Sequence, residues 1–112
     1  MKYKIPFTVI ILLNTLAVIA QPEMYYGDTS RSGKPFSKDP HVIRFDGRYL
    51  MYTSAPPSDG GDDGMQGWEI GIAESTDLVN WEKIGSVPPS GEVESKGICA
   101  PCALVVNDTV HL

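Results

Sequence analysis

The chain has 112 residues, with 9 Lys+Arg against 14 Asp+Glu, a net charge of −5 and a pI near 4.8. An acidic balance of this size repels phosphate backbones and anionic headgroups, so it argues against nucleic acid or an anionic membrane surface as partner. It is compatible with a neutral or cationic substrate and selects neither.

Lys2 and Lys4 precede an apolar run from Phe7 to Ile19, interrupted only by Thr8, Asn14 and Thr15, and Val18-Ile19-Ala20 follows the small-residue rule of a signal-peptidase site. The run is shorter than the roughly 20 apolar residues of a membrane span. Residues 1–20 therefore read as a signal peptide, and the protein as secreted or periplasmic. No Cys stands at the cleavage point to carry a lipid anchor. The mature chain, 21–112, is expected to have no membrane attachment. Without Lys2 and Lys4 it holds 7 basic and 14 acidic residues, a net charge of −7.

Residues 21–36 lack periodicity and contain Pro22, Gly27, Gly33 and Pro35, which predicts an extended lead-in. His41–Phe45 is a short β-rich run, Asp46-Gly47 is a two-residue hairpin signal of type I′, and Arg48–Thr53 is the returning strand. A polar loop, 55–67, carries Asp59, Asp62 and Asp63 without the alternate-ligand spacing of a calcium loop. Trp68–Glu74 alternates Trp68, Ile70 and Ile72 with Glu69, Gly71 and Ala73, as a half-buried strand does. Ser75-Thr76-Asp77 turns the chain into a fourth strand over Val79–Ile84. No segment of the mature chain sustains a helical period, so the fold class is all-β.

Residues 39–51 align without gaps on residues 100–112, an offset of 61. Pro40 falls on Pro101, the apolar runs coincide, and the turn pair Asp46-Gly47 falls on Asn107-Asp108. A four-strand meander whose opening hairpin recurs is the sequence pattern of a β-propeller. The expected architecture is thus a first four-stranded blade plus the opening hairpin of a second, with residues 37–112 forming an incomplete propeller domain. Repeat units of this type need neighbours to bury their faces, so the chain is read as a piece of a longer one.

In that topology the segments 37–40, 55–67 and 98–101 meet at one mouth, a pocket candidate. Asp39, beside the rigid Pro40, is the candidate catalytic residue. A carboxylate placed there accepts a proton from water attacking an anomeric carbon, and glycoside hydrolysis commonly pairs such a base with a separate acid. The plain alternative is that Asp39-Pro40 is an ordinary turn before a strand.

Ser37–Val42, Gly47–Tyr52, Gly71–Trp81 and Ala100-Pro101 together resemble the first blade of glycoside hydrolase family 43. Families 32, 62, 68, 117 and 130 share its fold. The Ser-x-Asp-Leu-x-x-Trp stretch, Ser75 to Trp81, is the most specific element and marks the fold rather than the reaction. The resemblance implies a five-bladed propeller without a cofactor that hydrolyses poly- or oligosaccharide. It implies that Asp39 is the general base of an inverting mechanism, or a nucleophile as in family 32. It places the second Asp and the Glu acid in later blades. Where family 43 often has Trp-Ala-Pro-Asp, this chain has Cys99-Ala100-Pro101-Cys102, which leaves the sugar open.

The expected substrate-binding set is His41, Trp68, Asp59, Cys99 and Ala100. Trp68 is placed to stack on a pyranose or to pack in the core, and Trp81 is expected between strands. Cys99 and Cys102 match the redox C-x-x-C spacing but precede a strand. Residues three apart in an extended strand lie about 10 Å apart, beyond disulfide reach. Small buried or pocket-lining thiols are the preferred reading. His41 and His111 fall on different blades, so no zinc site is expected. Asn107-Asp108-Thr109 fits a glycosylation sequon, but its place in a hairpin turn favours the turn. A non-catalytic carbohydrate-binding propeller and a glycoside phosphorylase, as in family 130, are the alternative functions.

Overall fold

Asp46 and Gly47, at φ 49° and 76°, reverse the chain with both central residues left-handed, as a type I′ turn requires. In the computed structural model, which describes residues 26–31, 33–57 and 67–112, this turn joins β1 (Lys38–Phe45) to β2 (Arg48–Ala55). β3 (Glu69–Ser75) and β4 (Glu82–Val87) complete a four-stranded antiparallel sheet in the order β1-β2-β3-β4. A second hairpin pairs β5 (Leu104–Val106) with β6 (Thr109–His111). The described residues form strands and turns and no helix, so the chain is all-β. The signal-peptide reading of 1–20 and the acidic loop with Asp59 lie outside the described residues.

Register assigns the side chains to two faces. His41, Ile43, Leu50, Tyr52, Ser54, Ile70 and Ile72 share one face, and Val42, Tyr49, Met51, Thr53, Gly71 and Ala73 share the other. Both faces of β2 are buried from Leu50 to Ala55. The first face carries a core of Leu50, Tyr52 and Ile70 closed by Ala103, with Ile43, Phe45, Ile98 and Val110 packed around it. The β5–β6 unit thus covers one face of the first sheet.

The lead-in is tied to the other face. Asp28 and Phe36 exchange backbone hydrogen bonds of 2.9 and 3.1 Å, Arg31 pairs with Glu69, and Lys83 Nζ lies 2.6 Å from Asp28 Oδ2. The sequence shows no periodicity here because a single bridge and two ion pairs, rather than a strand ladder, hold the segment.

The strands begin or end up to three residues from the expectation, and the two largest shifts at strand starts, in β1 and β4, have visible causes. β1 begins at Lys38 rather than His41, because a bulge at Asp39-Pro40 carries the strand past the proline: Lys38 faces Ser54 and His41 faces Tyr52. β4 begins at Glu82 rather than Val79. Asp77 Oδ1 accepts from the amides of Val79 (2.9 Å) and Asn80 (2.8 Å), which are then unavailable to a strand partner. Asp77 Oδ2 accepts from Asn80 Nδ2 at 2.7 Å, and Ser75 Oγ accepts from the amides of Asp77 and Leu78 at 3.1 and 2.9 Å. Trp81 closes the turn by donating its Nε1–H to Leu78 O at 3.1 Å. Its ring is half-buried. Ser75, Asp77, Leu78 (φ 65°) and Trp81 build one turn, which is the physical content of that motif.

The internal repeat has a structural counterpart. Ile43↔Leu50, Arg44↔Tyr49 and Phe45↔Arg48 in the first hairpin become Leu104↔His111, Val105↔Val110 and Val106↔Thr109 in the second, each displaced by 61. The left-handed residues shift by the same step: Asp39, Asp46 and Gly47 correspond to Ala100, Asn107 and Asp108. Asn107 thus serves the turn geometry.

Candidate functional site

Asp39 is held at φ 52° in front of Pro40, a conformation uncommon for a non-glycine residue. Ala100, its counterpart before Pro101, has φ 54° without any carboxylate. The backbone shape therefore belongs to the repeat, and the carboxylate is what this first unit adds to it. Bulges of this kind re-aim side chains and are frequent beside active sites.

Ser54 joins the two positions. Its Oγ donates to Asp39 Oδ2 at 3.0 Å and accepts from the Ala100 amide at 2.8 Å. Ser54 is 1% exposed, whereas Asp39 is exposed. One end of the carboxylate is thus anchored on a buried hydroxyl while the rest remains open to water. Sequence reasoning missed Ser54. Its signal was a hydroxyl beside Thr53 in the second half of β2, where a buried polar group calls for partners.

Two of the three segments expected at the mouth converge on this point: residues 37–40 and 98–101 meet through Ser54. The third, the loop before β3, is described only at its ends. There Gly67 N–H donates to Lys96 O at 2.8 Å and Ile98 N–H to Trp68 O at 2.9 Å, which brings β3 alongside the segment leading to Ala100.

Of the expected binding residues, His41 is half-buried on the face of Tyr52, its pairing neighbour in β2. Trp68 is half-buried, with its ring 5.7 Å from that of Phe36 in an edge arrangement. Lys38 Nζ lies 5.7 Å from the Trp68 ring centroid, close enough for a cation–π attraction. Trp68 thus packs against Phe36 and Lys38. Cys99 and Cys102 are exposed free thiols flanking the left-handed Ala100, pocket-lining rather than buried. With Ala100, Ile70, Val87 and Ile98 they line a groove of about 430 Å³. Ala100 is common to this groove and to the Ser54 relay; Asp39 is not among the groove's lining residues.

A second groove of about 450 Å³ lies at the opposite end of the sheet, lined by Arg48, Glu74, Ser75, Asn80, Trp81 and Glu82. Its polar groups are largely committed: Arg48 pairs with Glu74 at 2.5 Å, and Ser75 and Asn80 serve the Asp77 turn. Hydrogen bonds from the Asn80 amide, the Asn80 side chain and the Val79 amide hold the Asp77 carboxyl well below the usual carboxylate range. That carboxylate is a turn component rather than a proton carrier near neutral pH. Compared with family models, curated proteins and solved structures, the chain matches none.

Proposed function

We propose that this chain forms the first blade and the start of the second in a secreted five-bladed β-propeller glycoside hydrolase, with Asp39 as general base. The observation that carries the reading is the Asp39–Ser54–Ala100 relay. It sets a water-accessible carboxylate where the openings of two successive repeat units meet. In a radially repeated sheet that junction lies beside the central axis, where a substrate pocket forms.

The chemistry follows from the carboxylate's surroundings. Ser54 occupies one oxygen and fixes its direction, and the other is free to accept a proton from water. The water oxygen attacks the anomeric carbon as the glycosidic C–O bond breaks. The departing oxygen takes its proton from a carboxylic acid supplied by a further repeat. Were the carboxylate itself to attack, as in family 32, the same anchoring would orient the nucleophile. Cys99, Ala100 and the half-buried His41 and Trp68 are proposed to contact the sugar, with Asp59 contributing from the loop before β3.

The test uses the protein encoded by the complete reading frame and a panel of oligosaccharides and aryl glycosides. Asp39→Asn is expected to abolish turnover, a loss of at least about 10²–10⁴ for removal of a positioned base, while sugar binding stays within about tenfold. Turnover retained in the variant removes Asp39 from the mechanism. Sugar binding without turnover in the wild type favours the carbohydrate-binding alternative.

A further inference from the structure

We propose that Cys99 and Cys102 form a reversible disulfide across the Ala100-Pro101 bend, a redox site that fastens the junction between the two units. In an extended strand the two residues would stand about 10 Å apart, but this backbone is not extended. Residues 99–102 repeat the shape of residues 38–41. The second residue is left-handed in both, Ala100 at φ 54° and Asp39 at φ 52°, and the third is a proline, whose ring fixes φ. In the first unit the strand pairing measures what this shape does. Lys38 faces Ser54 and His41 faces Tyr52, so three steps along β1 cover two along β2. Two strand steps are about 6.4–6.8 Å, within the upper part of the Cα separations that disulfides bridge, about 4.4–6.8 Å. Tyr52 and Ser54 share a face of the sheet, so the two ends of the bulge lie over the same face. Cys99 and Cys102 occupy these two positions in the second unit, and both line the same groove.

The bond forms by thiol–disulfide exchange with a small-molecule disulfide. One cysteine thiolate attacks that disulfide and joins half of it in a mixed disulfide, releasing the other half as a thiolate. The second cysteine thiolate then attacks the first cysteine's sulfur, closing the Cys99–Cys102 bond and releasing the remaining thiolate. The two cysteines give up two protons and two electrons, and the small disulfide becomes two thiols. The ring closes within four consecutive residues, so it does not depend on what covers the groove. It encloses Ala100, whose amide donates to Ser54 Oγ at 2.8 Å. A closed ring holds that donor in its bent conformation, so the oxidised form has the tighter junction. The inference is independent of the catalytic reading.

The experiment equilibrates the full chain with mixtures of reduced and oxidised glutathione, quenches in acid, alkylates in denaturant and reads intact masses. The wild type is expected to lose two hydrogens and both alkylation sites. Its glutathione adducts are expected to be at least about tenfold less abundant, because the intramolecular exchange step outruns a second bimolecular one. Cys99→Ser and Cys102→Ser are each expected to stop at one glutathione adduct. Repeating the equilibrium in urea separates the fold from mere closeness in sequence. The ratio of disulfide to dithiol is expected to fall by at least about fivefold once the bend is unfolded. Hydrogen exchange at the Ala100 amide is expected to be at least about threefold slower in the oxidised protein than in the reduced one. Glutathione adducts that dominate the wild type, a ratio as high in urea as in its absence, or Ala100 exchange unchanged by oxidation overturns the proposal.

Discussion

Ser54 and Asp28 show how much of this fold depends on single polar side chains in the right place. Ser54 serves two partners from a buried position, while Asp39 and Ala100 are exposed, so removing its hydroxyl costs the net worth of the hydrogen bonds, about 0.5–1.5 kcal/mol each, rather than a buried-group penalty. Asp28, 7% exposed, fastens the lead-in to β4. Burial pushes its carboxyl up, but hydrogen bonds from Lys83 and Ser30 outweigh that and hold it below the ordinary value. A carboxylate depressed on folding contributes stability that is fully present above its unfolded value of about 3.9, and that is lost as pH falls through the lower folded value. Thermal midpoints of wild type and Asp28→Asn measured across pH are therefore expected to differ most above pH ~4 and to converge on acidification. A gap that widens in acid contradicts the assignment.

At the scale of elements, the hairpins and the turn at Ser75–Asp77 were legible, and the extension of that turn to Trp81 was not. Asp-Gly and Asn-Asp tolerate left-handed backbone, so their spacing between β-rich runs located both reversals. Gly47, at φ 76°, has nothing within 4 Å of where a Cβ would stand. The cost of Gly47→Val is therefore conformational, about 1–2 kcal/mol for a branched residue in the left-handed region, measurable by urea unfolding. An unchanged midpoint would show that the turn is not type I′. Val79 and Trp81 have high β propensity and suggest a strand that starts three residues too early in the chain: the Asp77 side chain claims the amides of Val79 and Asn80 that a strand needs. Propensity measures what a residue prefers, and local side-chain competition decided the outcome. The lead-in was expected as an extended segment, but its attachment to the sheet was not, since long-range ion pairs are announced by no local pattern.

For the whole molecule, the 61-residue offset was visible in sequence as a weak likeness and returns in the structure as matching registers and matching left-handed residues. The fold class and the four-strand meander were readable from alternation and turns. That residues 37–40 and 98–101 would meet followed from the expected topology; that Ser54, 46 residues before Ala100, would join them was not legible, because no local pattern marks so distant a partner. That bridge is the premise of the functional proposal: it is what brings the openings of both units to one carboxylate. Hydrogen exchange at the Ala100 amide tests it most directly. Strong protection in the wild type, falling toward the rate of an exposed amide in Ser54→Ala while the β1–β2 amides stay protected, is the predicted result. An Ala100 amide that exchanges equally fast in both proteins would contradict the junction and the placement of Asp39 built on it.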